Sequence, residues 1–210
     1  MPTIPAITGA LPPSSAAGQA ALPVMAAMKK ATWPMHQRLE KRLAIKDRFG
    51  DLDSYRAHLA RLLAFHAAAE AAWGAWLAPA LSDFAERRKT ALLMQDLAAV
   101  GGRPFHGAAI VPAAASTAAA LGGLYVLEGA TLGGQYLLPL VERRLGLSAG
   151  HGASYLASYG PEVAVMWQGF GAAVHAHCLT PEASAHAVAA AQATFASLEN
   201  CLCEGHDANE

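Results

Sequence analysis

The sequence predicts an all-α, single-domain helical bundle on three observations. The chain has 210 residues, a length within reach of one domain that buries its own core. Alanine recurs throughout while β-branched runs are scarce, which favours helix over sheet. Apolar positions return at helical spacing between glycine and proline punctuation. A formal net charge of −1 gives no basic field to collect phosphates and argues against nucleic acid as a partner.

Residues 1–22 carry Pro2, Pro5, Pro12 and Pro13 and no Lys or Arg, so a flexible leader is expected rather than a signal peptide. A first helix is expected over Pro23 to Ile45, with a kink or restart at Pro34, where the amide hydrogen is missing. After Gly50, Asp51 or Asp53 can cap a long helix whose Tyr55, Leu59, Leu62, Leu63, His66, Ala69, Trp73 and Trp76 share an apolar face up to Pro79. Ser82 can cap the next, which buries Leu92, Leu93, Met94 and Leu97 and stops at Gly101-Gly102. A helix from about Ala113 to Leu145 follows, with Arg143-Arg144 in its last turn and Gly146 as its stop. Pro161 to Cys178 reads as helix, and Thr180-Pro181-Glu182 starts a final one that ends near Cys203. The domain is thus expected over 23–204, with 205–210 as a tail. The most apolar stretch, Ile110 to Leu127, is broken by Pro112, Ser116 and Thr117, so no membrane insertion is expected. Cys178, Cys201 and Cys203 make no disulfide framework, and a reducing cytoplasm is the expected location.

Gly122, Gly123, Gly129, Gly133 and Gly134 fall within one helical segment, where each interior glycine costs on the order of 1 kcal/mol relative to alanine. Alanine is used freely elsewhere, so small size alone does not explain the choice. At helical spacing Gly122, Gly129 and Gly133 line one face, a bare strip on which a planar ligand would touch main chain. Gly129-x-x-x-Gly133 also suits close packing of two helices, and spacing alone leaves both readings open. A planar ligand needs an anchor opposite. His36 is the candidate, with Glu40 one turn later to orient its ring. His58, His66, His106 and His186 read as ordinary helix or loop residues.

Lys29-Lys30-Ala31-Thr32, His36 and Glu40 on one helix, with Leu124-Tyr125-Val126-Leu127-Glu128-Gly129-Ala130-Thr131-Leu132-Gly133-Gly134-Gln135 on another, resemble the two helices that sandwich heme in the biliverdin-forming heme oxygenase family, closest to its bacterial form. Phe65-His66 with Glu70, Leu93 with Asp96-Leu97, and Tyr159-Gly160 are similar to further family positions, and the likeness runs from about Val24 to Asn200. The resemblance implies a heme-oxygenase-like bundle in which His36 ligates iron, Glu40 supports it, and Lys29 or Lys30 meets a propionate. Tyr125, Gly129, Gly133 and Gly134 would line the heme, with Gly129, Thr131 and Gly133 framing the space for dioxygen. It further implies heme b as substrate and cofactor, with dioxygen and electrons from an external reductase or ferredoxin. The products would be biliverdin, carbon monoxide and ferrous iron, and a bilin-using photoreceptor is one destination for the bilin.

Two features depart from the family pattern. Ala130 stands where many members place an aspartate that holds water over bound dioxygen, which implies slower or less coupled turnover unless Thr131 or Gln135 substitutes. The late helix offers Trp167 and Gly171 where basic residues usually reach the propionates, and no Lys or Arg follows Arg144. Lys29, Lys30, His175 or His177 would then anchor them, or the heme would sit rotated. These departures favour a competing reading, a non-catalytic heme or tetrapyrrole binder of the same fold. A zinc or redox module from His175, His177, Cys178, Cys201, Cys203 and His206 is a second, although the spacing matches no standard finger. A structural helical interaction domain, with Trp73, Trp76 and Trp167 as core, is a third.

Overall fold

A computed structural model describes residues 22–44 and 48–203. The expected leader and the tail lie outside the described residues, except for Leu22, where the first helix begins. The helices are α1 (Leu22–Leu43), α2 (Leu52–Leu77), α3 (Phe84–Arg87), α4 (Thr90–Ala99), α5 (Thr117–Leu145), α6 (Ser154–Ala157), α7 (Val163–His177) and α8 (Pro181–Cys203), with a 3-10 turn at Gly160–Glu162. No strand occurs among the described residues, only isolated bridges at Ser148.

Helix starts follow local side-chain chemistry. Asp51 accepts the Ser54 amide at 2.8 Å and caps α2. Ser116 accepts the Ala119 amide at 3.2 Å, so α5 begins at Thr117 rather than near Ala113. Thr180 accepts the Ala183 amide at 3.1 Å ahead of Pro181. Gly146, at φ +69°, closes α5 in the left-handed conformation that glycine permits.

Two expectations are corrected. Pro34 neither ends nor restarts α1, which runs unbroken through it. Lys30 and Pro34 are both exposed, so water can bond the carbonyl that proline leaves without a donor. The helix expected from Ser82 is instead divided at Arg88, whose backbone is extended at φ −65° and ψ 135°. Arg87 and Lys89 are both buried while Arg88 is exposed, and two residues two positions apart cannot face one side of a continuous helix. Glu70 on α2 stabilises the break by accepting the Lys89 and Thr90 amides at 2.7 and 2.9 Å, capping α4 from another helix.

The bundle is organised by α8, which packs against both α5 and α1; α7 also touches both. On the other side α2 packs on α4 and α5, around a core that includes Tyr55, Phe65, Trp73, Leu121 and Phe170. Asp96 on α4 accepts the Ser154 and Tyr155 amides at 2.8 and 2.7 Å and so anchors α6. The helices α1 and α5 themselves barely touch. No helix among the described residues is long and apolar enough to cross a membrane.

Candidate functional site

The helices α1 and α5 are held by common neighbours and hardly by each other. Where α1 and α5 do meet, the Tyr125 phenol lies beside the Thr32 hydroxyl, and the Tyr125 ring leans on Trp167 with centroids 5.7 Å apart. Burial pushes the Tyr125 hydroxyl above its ordinary pKa, against the lowering effect of the Thr32 hydroxyl. His36 and Gly129 each stand one helical turn beyond this contact, on the same face of their helix.

His36 is held as a fixed ring. Trp33 stacks on it at 5.7 Å and 7° between planes, and Phe195 of α8 meets it edge-on at 6.1 Å. Its Nδ1 is buried without a hydrogen-bond partner, 3.6 Å from Glu40 Oε2. The side chain as a whole is 37% exposed, which leaves the Nε2 edge as the accessible one. That is the disposition of an imidazole ligand: one nitrogen turned to a carboxylate that can take its proton, the other presented outward. The spacing of His36 and Glu40 was legible in the sequence; the roles of Trp33, one turn back, and Phe195 were not read from it.

Opposite, the five glycines of α5 divide. A Cβ on Gly122 would collide with the Ala187 carbonyl of α8, one on Gly123 would lie 2.8 Å from the Trp73 ring, and one on Gly134 would lie 2.6 Å from the Leu156 carbonyl. At Gly129 and Gly133 nothing lies within 4 Å of that position. The bare strip is therefore Gly129 and Gly133 alone. Gly122, expected to share it, is explained by the neighbouring Ala187 backbone, and Gly134, implied by the resemblance to line heme, by that of Leu156.

The polar residues near the strip are committed elsewhere. Thr131 donates its hydroxyl to the Glu128 carbonyl at 2.7 Å within the helix, and Gln135 donates to the Gly160 carbonyl at 2.9 Å. Ala130 is exposed. Lys29 and Lys30 are exposed on α1. His177 lines a different space, an open groove of about 420 Å³ with Trp76, Ser116, Thr180 and His186. Cys178, Cys201 and Cys203 are buried thiols, and no group of three or more His, Cys, Asp or Glu gathers to hold a metal among the described residues; His206 lies outside them.

Sequence reasoning also passed over the role of Glu128. A carboxylate inside an apolar helical segment must find partners if it is buried. Here they are Arg87, bonded at 2.8 Å, and Tyr159, bonded at 2.7 Å.

A family model described as heme oxygenase matches residues 22–204. The chain belongs to the heme oxygenase family. A protein of Xanthomonas campestris pv. campestris (strain 8004), named "Heme oxygenase", is 34% identical over 154 residues, 72% of this chain and 90% of that protein. The NO- and CO-bound heme oxygenase of Neisseria meningitidis superposes with a TM-score of 0.79 at 26% identity, covering 89% of this chain and 94% of that one. The heme oxygenase of Leptospira interrogans shares the fold, with a TM-score of 0.70 at 17% identity over 86% of this chain and 98% of its own. The oxidoreductase activity of this family is therefore the frame for the site, and none of these three relatives points to the non-catalytic binder.

Proposed function

We propose that the chain binds heme as its substrate between α1 and α5 and opens it oxidatively to biliverdin, carbon monoxide and ferrous iron. The observation that carries this is the pairing of a ring-stacked His36, its Nδ1 toward Glu40, with two glycines whose Cβ positions face empty space. When bound, heme would supply the redox chemistry itself, with dioxygen as oxidant and electrons from an external reductase or ferredoxin.

The protein's own residues do the rest. Glu40, 3.6 Å from Nδ1, is placed to accept the Nδ1–H in a hydrogen bond, which fixes the ring's orientation and the tautomer that leaves Nε2 free to ligate. Trp33 and Phe195 prevent the ring from turning. Gly129 and Gly133 would leave room beside the main chain for heme and a small ligand, with Tyr125 one turn away against Trp167. Lys29 and Lys30, exposed on α1, are the cations available to the propionates. Cytoplasmic location and an electron-donor protein as partner belong to the same proposal.

Titration of the protein with hemin, followed by ascorbate in air, tests it. A Soret band that decays as a bilin band grows is expected. With Ala130 in place of the aspartate, slow growth accompanied by peroxide is expected in the same assay. A Soret band stable to ascorbate in air would contradict the enzymatic reading, and no Soret band would contradict heme binding altogether.

A further inference from the structure

The side of α5 that carries Glu128 is built as heavily as its glycine strip is bare. Glu128, next to Gly129, is 2% exposed, and both its oxygens are held: Oε1 by the Tyr159 phenol at 2.7 Å, Oε2 by Arg87 Nη1 at 2.8 Å. Arg87 is fixed in turn by two bonds to Asp83, at 2.8 and 2.7 Å, and by the Met166 carbonyl at 3.1 Å. Lys89 Nζ sits 3.6 Å from the centre of the Tyr159 ring. The chain around Tyr159 is bent to make this fit, with Ser158 at φ +46° and Gly160 at φ +54°. A serine in that region is strained, and such strain persists only where surrounding contacts enforce it.

The same segment meets α5 twice more. Gln135 donates to the Gly160 carbonyl at 2.9 Å, and the Leu156 carbonyl occupies the space a Cβ of Gly134 would need. Residues 156–160 thus form a strap along α5 from Glu128 to Gln135, the two turns that present Gly129 and Gly133. Those turns have no side chain at Gly129 or Gly133 to brace them, and a glycine-rich helix bends readily.

We infer that Glu128 and Tyr159 are positioning residues, which through the 156–160 strap hold the Gly129–Gly133 stretch of α5 in place and so set how a small ligand is accommodated beside it. This rests on the heme reading above for its consequence, but its mechanical part can be tested without heme. Tyr159→Phe removes one charge-assisted hydrogen bond and keeps the ring beside Lys89. In the ligand-free full chain, amide deuterium exchange over residues 129–135 is expected to quicken by roughly tenfold or more, while amides of α2 and α8 keep their rates. Unchanged exchange over 129–135, or a uniform rise along the chain, would overturn the inference. If Tyr159→Phe does not fold, Gln135→Ala cuts the strap at its other end, and the same local quickening, or its absence, decides. In the hemin-loaded, reduced protein, Tyr159→Phe is expected to shift the iron–CO stretching band and change CO dissociation severalfold, with hemin affinity unchanged. An unmoved CO band and rate would overturn the positioning role. Failure of the wild type to bind hemin would sink the heme reading alone, leaving the exchange result to stand.

Discussion

Gly122 and Gly134 differ from Gly129 and Gly133 in one respect that separates structure from function. The first pair is glycine because a neighbour's backbone occupies the place of a side chain; the second pair faces nothing. An interior glycine costs a helix about 1 kcal/mol, and close packing repays that only where something packs. Among the described residues nothing lies within 4 Å of a Cβ at Gly129 or Gly133, so packing in the described fold gives no reason for glycine there. The proposed heme, anchored at His36 and lying against α5, would supply one.

Filling the empty positions breaks the comparison most forcefully. Gly133→Leu is expected to abolish bilin formation, measured with hemin and ascorbate, while leaving the thermal midpoint of the ligand-free protein close to wild type. Survival of turnover would make that glycine structural. Gly134→Ala is expected to do the reverse, lowering stability by about 1–3 kcal/mol through overpacking against Leu156. Urea unfolding reads this directly; a neutral result would dissolve the distinction between the two pairs.

Both experiments need an intact fold, and acid limits the window. Burial holds the His58 pKa down to about 3, helped by the Arg48 charge, and that of His66 down to about 4, where Glu70 opposes and Lys89 reinforces the effect. Each titrates near 6.5 once unfolded. The stability from keeping these rings neutral is thus fully present above about pH 6.5 and lost as pH falls toward their folded values. The loss is about 1.4 kcal/mol per pH unit for each ring. Urea titrations between pH 6 and 4 should show that slope, and His58→Leu should remove one proton's share of it; an unchanged slope would mean His58 is protonated in both states.

Gly129→Ala brings the smallest expected change. A methyl group pointing into open space should stabilise the ligand-free protein by up to about 1 kcal/mol, since the unfolded chain loses freedom and the helix gains a better former. Destabilisation would show that the position is not open.

Much of the fold was legible because its signals are local. Asp51, Ser116 and Thr180 cap helices with their own side chains, within three residues of the amides they bind. The break at Arg88 was not legible, because the carboxylate that stabilises it comes from Glu70 on another helix. Continuity through Pro34 depends on which face meets water, a tertiary fact. Within the site, the spacing of His36 and Glu40 and the excess of glycine in α5 were visible as patterns. The division of those glycines was not, since Ala187 and Leu156 are brought against them by α8 and α6. Glu128 did carry a readable signal, a charge among apolar helix residues, but its partners Arg87 and Tyr159 lie 41 and 31 positions away.

The iron–imidazole stretching band of the reduced, hemin-loaded protein tests the proposed clamp most directly. Resonance Raman spectra should show that band in the wild type, lose it in His36→Ala, and regain it when free imidazole is added to the variant. A band that persists unchanged in His36→Ala would place the iron ligand elsewhere and contradict a heme held between α1 and the glycines of α5.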